Sequence, residues 1–121
     1  MCTMSKIADD VHSVLKQLFP YDDVVSEHYV YYKGTRLFFD FYLRKLSILF
    51  EVQGAQHTKY IRHFHGSVEM FREQKRRDNL KLEYVANTPP LTLVYFYDKL
   101  DKITKELVMQ RIYKAQQGVT K

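Results

Sequence analysis

The sequence predicts a single domain of the α/β (α+β) class, αβββαβα in order, with a mixed four-stranded sheet flanked by helices. Three observations lead there. Apolar residues recur at helical spacing ahead of Pro20, residues 24 to 53 form three dense β-branched and aromatic runs separated by short turns, and a long polar helix then leads to one more apolar run. At 121 residues, 45% hydrophobic and 15% aromatic, residues 1–121 suffice for one well-buried core and are too few for two ordinary domains.

Each element has its own signal. Ile7, Val11, Val14, Leu15 and Leu18 share one side of a helix over 5–18, capped by Ser5 and stopped before Pro20. From Val24 to Tyr32 and from Arg36 to Leu43, β-branched and aromatic residues dominate, and Lys33-Gly34-Thr35 between them reads as a hairpin turn. A second turn at Arg44-Lys45-Leu46 leads to a third strand, Ser47 to Gln53, completing an antiparallel meander. Residues 54–66 hold two Gly and three His without an apolar period, so they read as a long functional loop. Ser67 caps a helix over 68–86, ended by Asn87 and Pro89-Pro90. Leu91 to Tyr97 is a fourth strand, and Asp98 or Asp101 opens a last helix with Ile103, Leu107, Val108 and Ile112 on one side.

Composition narrows the function classes. No stretch approaches the ~18 apolar residues of a membrane span, and Met1 to Asp10 lacks the layout of a signal peptide, so a soluble, intracellular protein is expected. Cys2 stands alone and offers neither an internal disulfide nor a thiolate metal site. Net charge is +5, and residues 54–81 alone carry seven Lys or Arg against three acids, a surplus of four. Such a concentration favours a polyanion, although a basic helix is often only a solvated face.

The chemistry-bearing residues interrupt the apolar pattern. Alternation along the second strand puts Leu37, Phe39 and Phe41 on one face and Phe38, Asp40 and Tyr42 on the other. On the third strand Glu51 and Gln53 share a face with Leu49. If the turn closes on Lys45-Leu46, Asp40 lies directly across from Glu51; a register one residue away separates them. Two carboxylates among apolar strands repel each other and are poorly solvated, and a divalent cation compensates both. Oxygen ligands completed by water suit Mg²⁺ or Mn²⁺; the plainer alternative is two ordinary surface acids.

Asp78 repeats the anomaly on the long helix. Steps of 100° gather Val68, Phe71, Lys75, Asp78, Leu82 and Val85 on the inward arc, with Gln74 and Lys81 on its edge. A buried Asp78 needs a metal or a cation, and Lys75 or Lys81, three residues away, would serve. His57 follows the third strand closely enough to act as general acid or base, or it is a surface residue. His63 and His65 lack the further soft ligands zinc would need and read as loop or phosphate contacts. Lys59, Arg62, Arg72, Lys75, Arg76, Arg77 and Lys81 are candidates to grip a DNA backbone. Tyr29, Tyr31 and Tyr32 would touch DNA or, more simply, pack.

Asp40 on one strand followed by Glu51-Val52-Gln53 on the next resembles the PD-(D/E)XK nuclease signature, whose last position is often Lys. The run Glu51-Val52-Gln53-Gly54-Ala55-Gln56-His57, with His65-Gly66, Phe71, Arg77-Asp78 and Lys81, is similar to the E-x-D-G-x-Q-H…D-x-x-K pattern of phage-encoded endonucleases. These form the EDxHD group, which includes homing endonucleases and is related to the very-short-patch repair endonuclease. The likeness covers about residues 5–97. It implies a restriction-endonuclease-like core in which Asp40 is the central metal ligand, Glu51 fills a variable strand position, and His57 and Asp78 complete the site. Two positions depart from the pattern. The group's first Glu falls on Ala8, so that Asp9, Asp10 or Glu27 substitutes or the site works without it, and Gln53, which cannot transfer a proton, replaces the usual Asp.

The resemblance therefore implies a Mg²⁺- or Mn²⁺-dependent DNA endonuclease, phage-encoded and homing-endonuclease-like, acting in the host-cell cytoplasm. Asp40, Glu51, Gln53, His57 and Asp78 form its site, and Asp40 and Glu51 hold the metal. One small domain leaves specificity to a homodimer, a partner protein or DNA structure. The alternatives are a structure-selective nuclease acting on junctions, nicks or flaps, and a catalytically weakened DNA-binding relative, which Ala8 and Gln53 would explain.

Overall fold

Three strands joined by tight turns and a fourth reached through a helix make up the sheet of the computed structural model, which describes residues 6–53, 67–98 and 100–117. The elements are α1 (Lys6–Leu18), β1 (Val24–Tyr32), β2 (Thr35–Leu43), β3 (Ile48–Gln53), α2 (Val68–Ala86), β4 (Thr92–Tyr97) and α3 (Lys105–Gln116). The strand order is β1-β2-β3-β4; the first three run antiparallel to their neighbours, and β4 lies parallel to β3. A parallel pair needs a crossover, and α2 lies within it. This is the αβββαβα mixed sheet that the sequence implies.

Turn chemistry fixes the meander. Lys33 (φ 49°) and Gly34 (φ 77°) close the β1–β2 hairpin between paired Tyr32 and Thr35, the two-residue turn with both φ positive that matches strand twist and for which glycine is best suited. Arg44 to Ser47 close β2 onto β3, with Ser47 at φ 58°. Asp22 steadies that turn: its Oδ1 accepts the Lys45 N–H at 3.0 Å, and the Lys45 ammonium donates to the Tyr21 carbonyl.

The sheet carries apolar side chains on both faces. On one, Ile7, Val11 and Leu15 of α1 and Val108 and Ile112 of α3 pack on Phe41, Leu43, Ile48, Phe50, Val94 and Phe96. On the other, Leu80, Tyr84 and Val85 of α2 pack on Leu37, Phe39 and Leu49. Leu37 and Phe39 thus face the opposite layer from Phe41 and Leu43, where simple alternation puts Leu37, Phe39 and Phe41 together. The reversal falls at Asp40. β1 reverses at the facing position, since Val24 packs in the first layer and Val30 and Tyr32 in the second, with Glu27 between them at φ 54°. Both strands turn over in step, so their pairing keeps one register on either side of Glu27 and Asp40.

The last helix starts later than Asp98 or Asp101. Thr104 is its N-cap, accepting the Leu107 N–H at 3.1 Å, with Ile103 just outside and Val108 one turn in, both in the core. Asp101 serves the connection instead. It accepts the Tyr97 N–H at 2.7 Å and pairs with Arg111, which also donates to the Tyr95 carbonyl at 2.9 Å. Among the described residues no helix is long and apolar enough to cross a membrane.

Candidate active site

Strand register builds the centre of the site. β2 and β3 pair at Leu43–Ile48, Tyr42–Leu49 and Phe41–Phe50, so the next step sets Asp40 against Glu51. The turn does close on Lys45-Leu46, and of the two registers open to the sequence this is the one found. The backbone ladder stops there. The Val52 N–H, which a continued ladder would give to a β2 carbonyl, donates instead to Asp40 Oδ2 at 2.7 Å. A carboxylate standing in for a backbone acceptor explains why an Asp sits in an apolar strand. It also fixes the Asp40 side chain beside Glu51.

Glu51 is only 6% exposed and is ion-paired with the Lys81 ammonium of α2, which also lies 5.4 Å from the centre of the Phe39 ring. Burial raises the Glu51 carboxyl from 4.5 to about 8; Lys81 works against the rise and the negative charge of Asp40 adds to it. A carboxyl so raised takes up a proton in the folded state while the unfolded chain is already ionised. The stability it contributes is therefore full below 4.5 and lost as pH climbs through about 8. In EDTA, the melting temperature of Glu51→Gln relative to the unmutated protein is expected to rise steadily from pH 5 to 8.5, the underlying difference being at most roughly 1.4 kcal/mol per pH unit. A constant gap across that range would show that Glu51 ionises normally.

Asp78, 9% exposed, is the one buried residue of α2, and Tyr95 of β4 pairs with Glu51 across the parallel ladder. Burial, then the charges of Glu51 and Asp78, hold the Tyr95 phenol well above its ordinary range. Glu51, Asp78, Lys81 and Tyr95 therefore share one poorly solvated region on the α2 face of the sheet. The inward stripe of α2 runs through Phe71, Gln74, Asp78, Lys81 and Val85, whereas Val68 and Leu82 are largely exposed and Lys75 also faces outward. The helix is rotated from the expected arc because few apolar residues mark its buried side.

The remaining candidates divide plainly. Arg76 is bidentate on Glu73 (3.0 and 2.7 Å) and reaches Thr35 Oγ1 at 3.3 Å, while Arg77 meets the same Glu73 at 3.1 Å. Arg72 and Lys75 are exposed on the same helix. Lys81, a candidate both for DNA contact and as a partner of Asp78, is ion-paired with Glu51. Gln53 is half-buried at the end of β3, its carbonyl accepting the Asp98 N–H at 2.9 Å. His57, Lys59, Arg62, His63 and His65 lie outside the described residues. Ala8 is buried in the α1 core, Asp9 is exposed, and Asp10 pairs with Lys6 at 3.7 Å on the surface. Glu27 is the acid that register sets opposite Asp40, bracketed by the pairs Ser26–Phe41 and His28–Phe39.

Whether this donor set suits a metal can be judged from its chemistry. Among the described residues no group of three or more His, Cys, Asp or Glu is arranged to hold an ion, so an all-protein cage of the calcium or zinc kind does not fit them. A close carboxylate pair in which burial outweighs one lysine's compensation does fit Mg²⁺ or Mn²⁺, which take one or two carboxylates and fill the shell with water and substrate phosphate. Beside the site, a concavity of about 630 Å³ is lined by Arg36 and Phe38 from β2 and by Arg77, Asp78 and Lys81 from α2. It reaches Asp78 and Lys81 directly and Glu51 through Lys81.

No family model and no solved structure matches the chain. An uncharacterised protein, 307L of Invertebrate iridescent virus 6, is similar: 40% identical over 72 residues, covering 50% of this chain and 36% of that protein. The chain thus matches about a third of the length of that viral relative.

Proposed function

We propose that the protein is a divalent-metal-dependent DNA endonuclease, virus-encoded and acting in the host-cell cytoplasm, that hydrolyses phosphodiester bonds at the Asp40–Glu51 site. The observation that carries this reading is the register that sets Asp40 against Glu51 where β2 and β3 part, with Lys81 completing the charge cluster. The PD-(D/E)XK likeness of the same residues points to the same chemistry, and similarity to a viral protein supports the viral origin.

Asp40 and Glu51 would hold Mg²⁺ or Mn²⁺, which would supply Lewis-acid polarisation of a phosphate oxygen and a lowered pKa for water. Asp40 is held beside Glu51 by the Val52 N–H, which donates to its Oδ2. Lys81 keeps Glu51 in place and sets a positive charge beside the scissile phosphate, where charge builds as the bond breaks. Gln53 can orient a water through its amide but cannot take its proton. The outward Arg72 and Lys75, with Arg76 and Arg77, grip the DNA backbone and fix its path without reading bases.

Supercoiled plasmid with Mg²⁺ or Mn²⁺ tests the reading: nicked or linear product is expected, and none in EDTA. Well-folded protein that binds DNA yet leaves plasmid, junction and flap substrates intact under either ion would favour the catalytically weakened relative. Cleavage confined to junctions, nicks or flaps would identify a structure-selective enzyme.

A further inference from the structure

Beyond the reversal at Glu27 and Asp40, the distal half of the β1–β2 hairpin has one face packed against α2 and the other left to solvent. On the packed face, Val30 and Tyr32 of β1 and Leu37 of β2 join the core; Tyr32 also stacks edge-on against Tyr84 and donates to Glu83 at 3.0 Å. On the other face stand Tyr29, Tyr31 and Phe38, at 46%, 67% and 53% exposure, together with the exposed Arg36. The pairing makes them a two-by-two grid, Tyr29 across from Phe38 and Tyr31 across from Arg36, with the Tyr29 and Phe38 rings 5.4 Å apart.

We infer that this grid is a stacking platform for unpaired bases of a DNA substrate, and so that the protein acts on DNA containing a single-stranded segment; the inference rests on the nuclease reading above. Three exposed rings on one face of a hairpin are a large apolar patch for a small domain, and such patches mark contact surfaces. The grid's one charge is the Arg36 guanidinium, which suits a polyanion and itself stacks on bases. The platform is also continuous with the candidate site. Arg36 and Phe38 line the same concavity as Arg77, Asp78 and Lys81, and its volume of about 630 Å³ is in the range that admits a nucleotide-sized ligand. Leu37, which packs on the α2 side, lines the concavity together with Arg36 and Phe38 of the grid. A strand whose bases stack on the grid can enter that concavity and bring its backbone to Lys81. Duplex DNA, with its bases already stacked, has no rings to offer the platform.

The chain has no tryptophan, which permits a clean reporter. In the Phe38→Trp variant of this chain the introduced indole is the sole tryptophan, excited selectively at 295 nm. In EDTA, where nothing is cut, an oligothymidylate is expected to quench it and a blunt duplex of equal length is not. In the same buffer, Tyr31→Ala is expected to weaken oligothymidylate binding about fivefold or more, while Tyr31→Phe keeps the affinity and duplex binding is unmoved. Equal quenching by duplex, no quenching by either, or equal losses in both substrates for Tyr31→Ala would overturn the inference. So would a sedimentation experiment showing a dimer that Tyr31→Ala dissociates, since a second copy would then cover the grid. Because no step depends on metal or cleavage, a failure here leaves the plasmid result standing, and the converse holds too.

Discussion

Asp40→Asn is expected to lower metal-dependent plasmid cleavage about 10³-fold or more while the protein remains folded. The loss corresponds to the several kcal/mol that a bound cation supplies to phosphodiester hydrolysis, at 1.36 kcal/mol per tenfold in rate. Asparagine is the informative replacement because of what Asp40 does for the backbone. Its Oδ2 accepts the Val52 N–H at the point where the strand ladder stops, and an amide oxygen can accept the same bond. Alanine would orphan that half-buried donor at about 1–3 kcal/mol, mixing a structural loss with a catalytic one. Circular dichroism and the melting temperature of Asp40→Asn should therefore stay close to those of the unmutated protein in EDTA. Cleavage within tenfold of normal would remove Asp40 from the metal site.

Phe50→Ala is expected to destabilise the fold by about 3–5 kcal/mol, read from the midpoint of urea unfolding. Phe50 has no exposed surface, stacks against Phe96 with ring centres 6.1 Å apart, and lies between the sheet and the α1–α3 layer. Truncation leaves a cavity walled by two strands and two helices, elements that cannot close in without disturbing the strand register beneath them. A domain of this size has a net stability of about 5–15 kcal/mol, so the variant forfeits a large share of it. Phe50 precedes Glu51, and the loosened strand should also blunt cleavage. A loss below about 1 kcal/mol would show that the layer repacks freely and that Phe50 is not central to the core.

Most of the fold was legible because the elements differ in period. The meander announced itself through β-branched runs and a Lys-Gly turn, and α2 through its Ser67 cap, which accepts the Met70 N–H at 3.1 Å. The facing of Asp40 and Glu51 was legible as one of two registers, since a hairpin's register follows from where its turn closes. What escaped were the places where a local rule is broken by a tertiary contact. The reversal at Asp40 is invisible in sequence because buried and exposed residues still alternate along β2; only the covering layer changes. Lys81 looked like one more cation on a basic helix, and its role depends on the helix rotation, which Val68 and Leu82 disguise. Its spacing from Asp78, three residues along one helix face, was the available signal. Tyr95 sits within an apolar run and gives no sign of its place until the parallel pairing with Glu51 is known. The start of α3 was displaced because Asp101, a good cap by residue type, is committed to Arg111 and the Tyr97 N–H.

The most direct test of the Asp40–Glu51 centre is a calorimetric titration of Mn²⁺ into the DNA-free protein at pH 8.5, beside Asp40→Asn and Glu51→Gln. One binding site is expected in the unmutated chain, lost in Asp40→Asn and weakened at least tenfold in Glu51→Gln. Mn²⁺ bound equally by all three proteins would contradict a metal centre built from these two carboxylates.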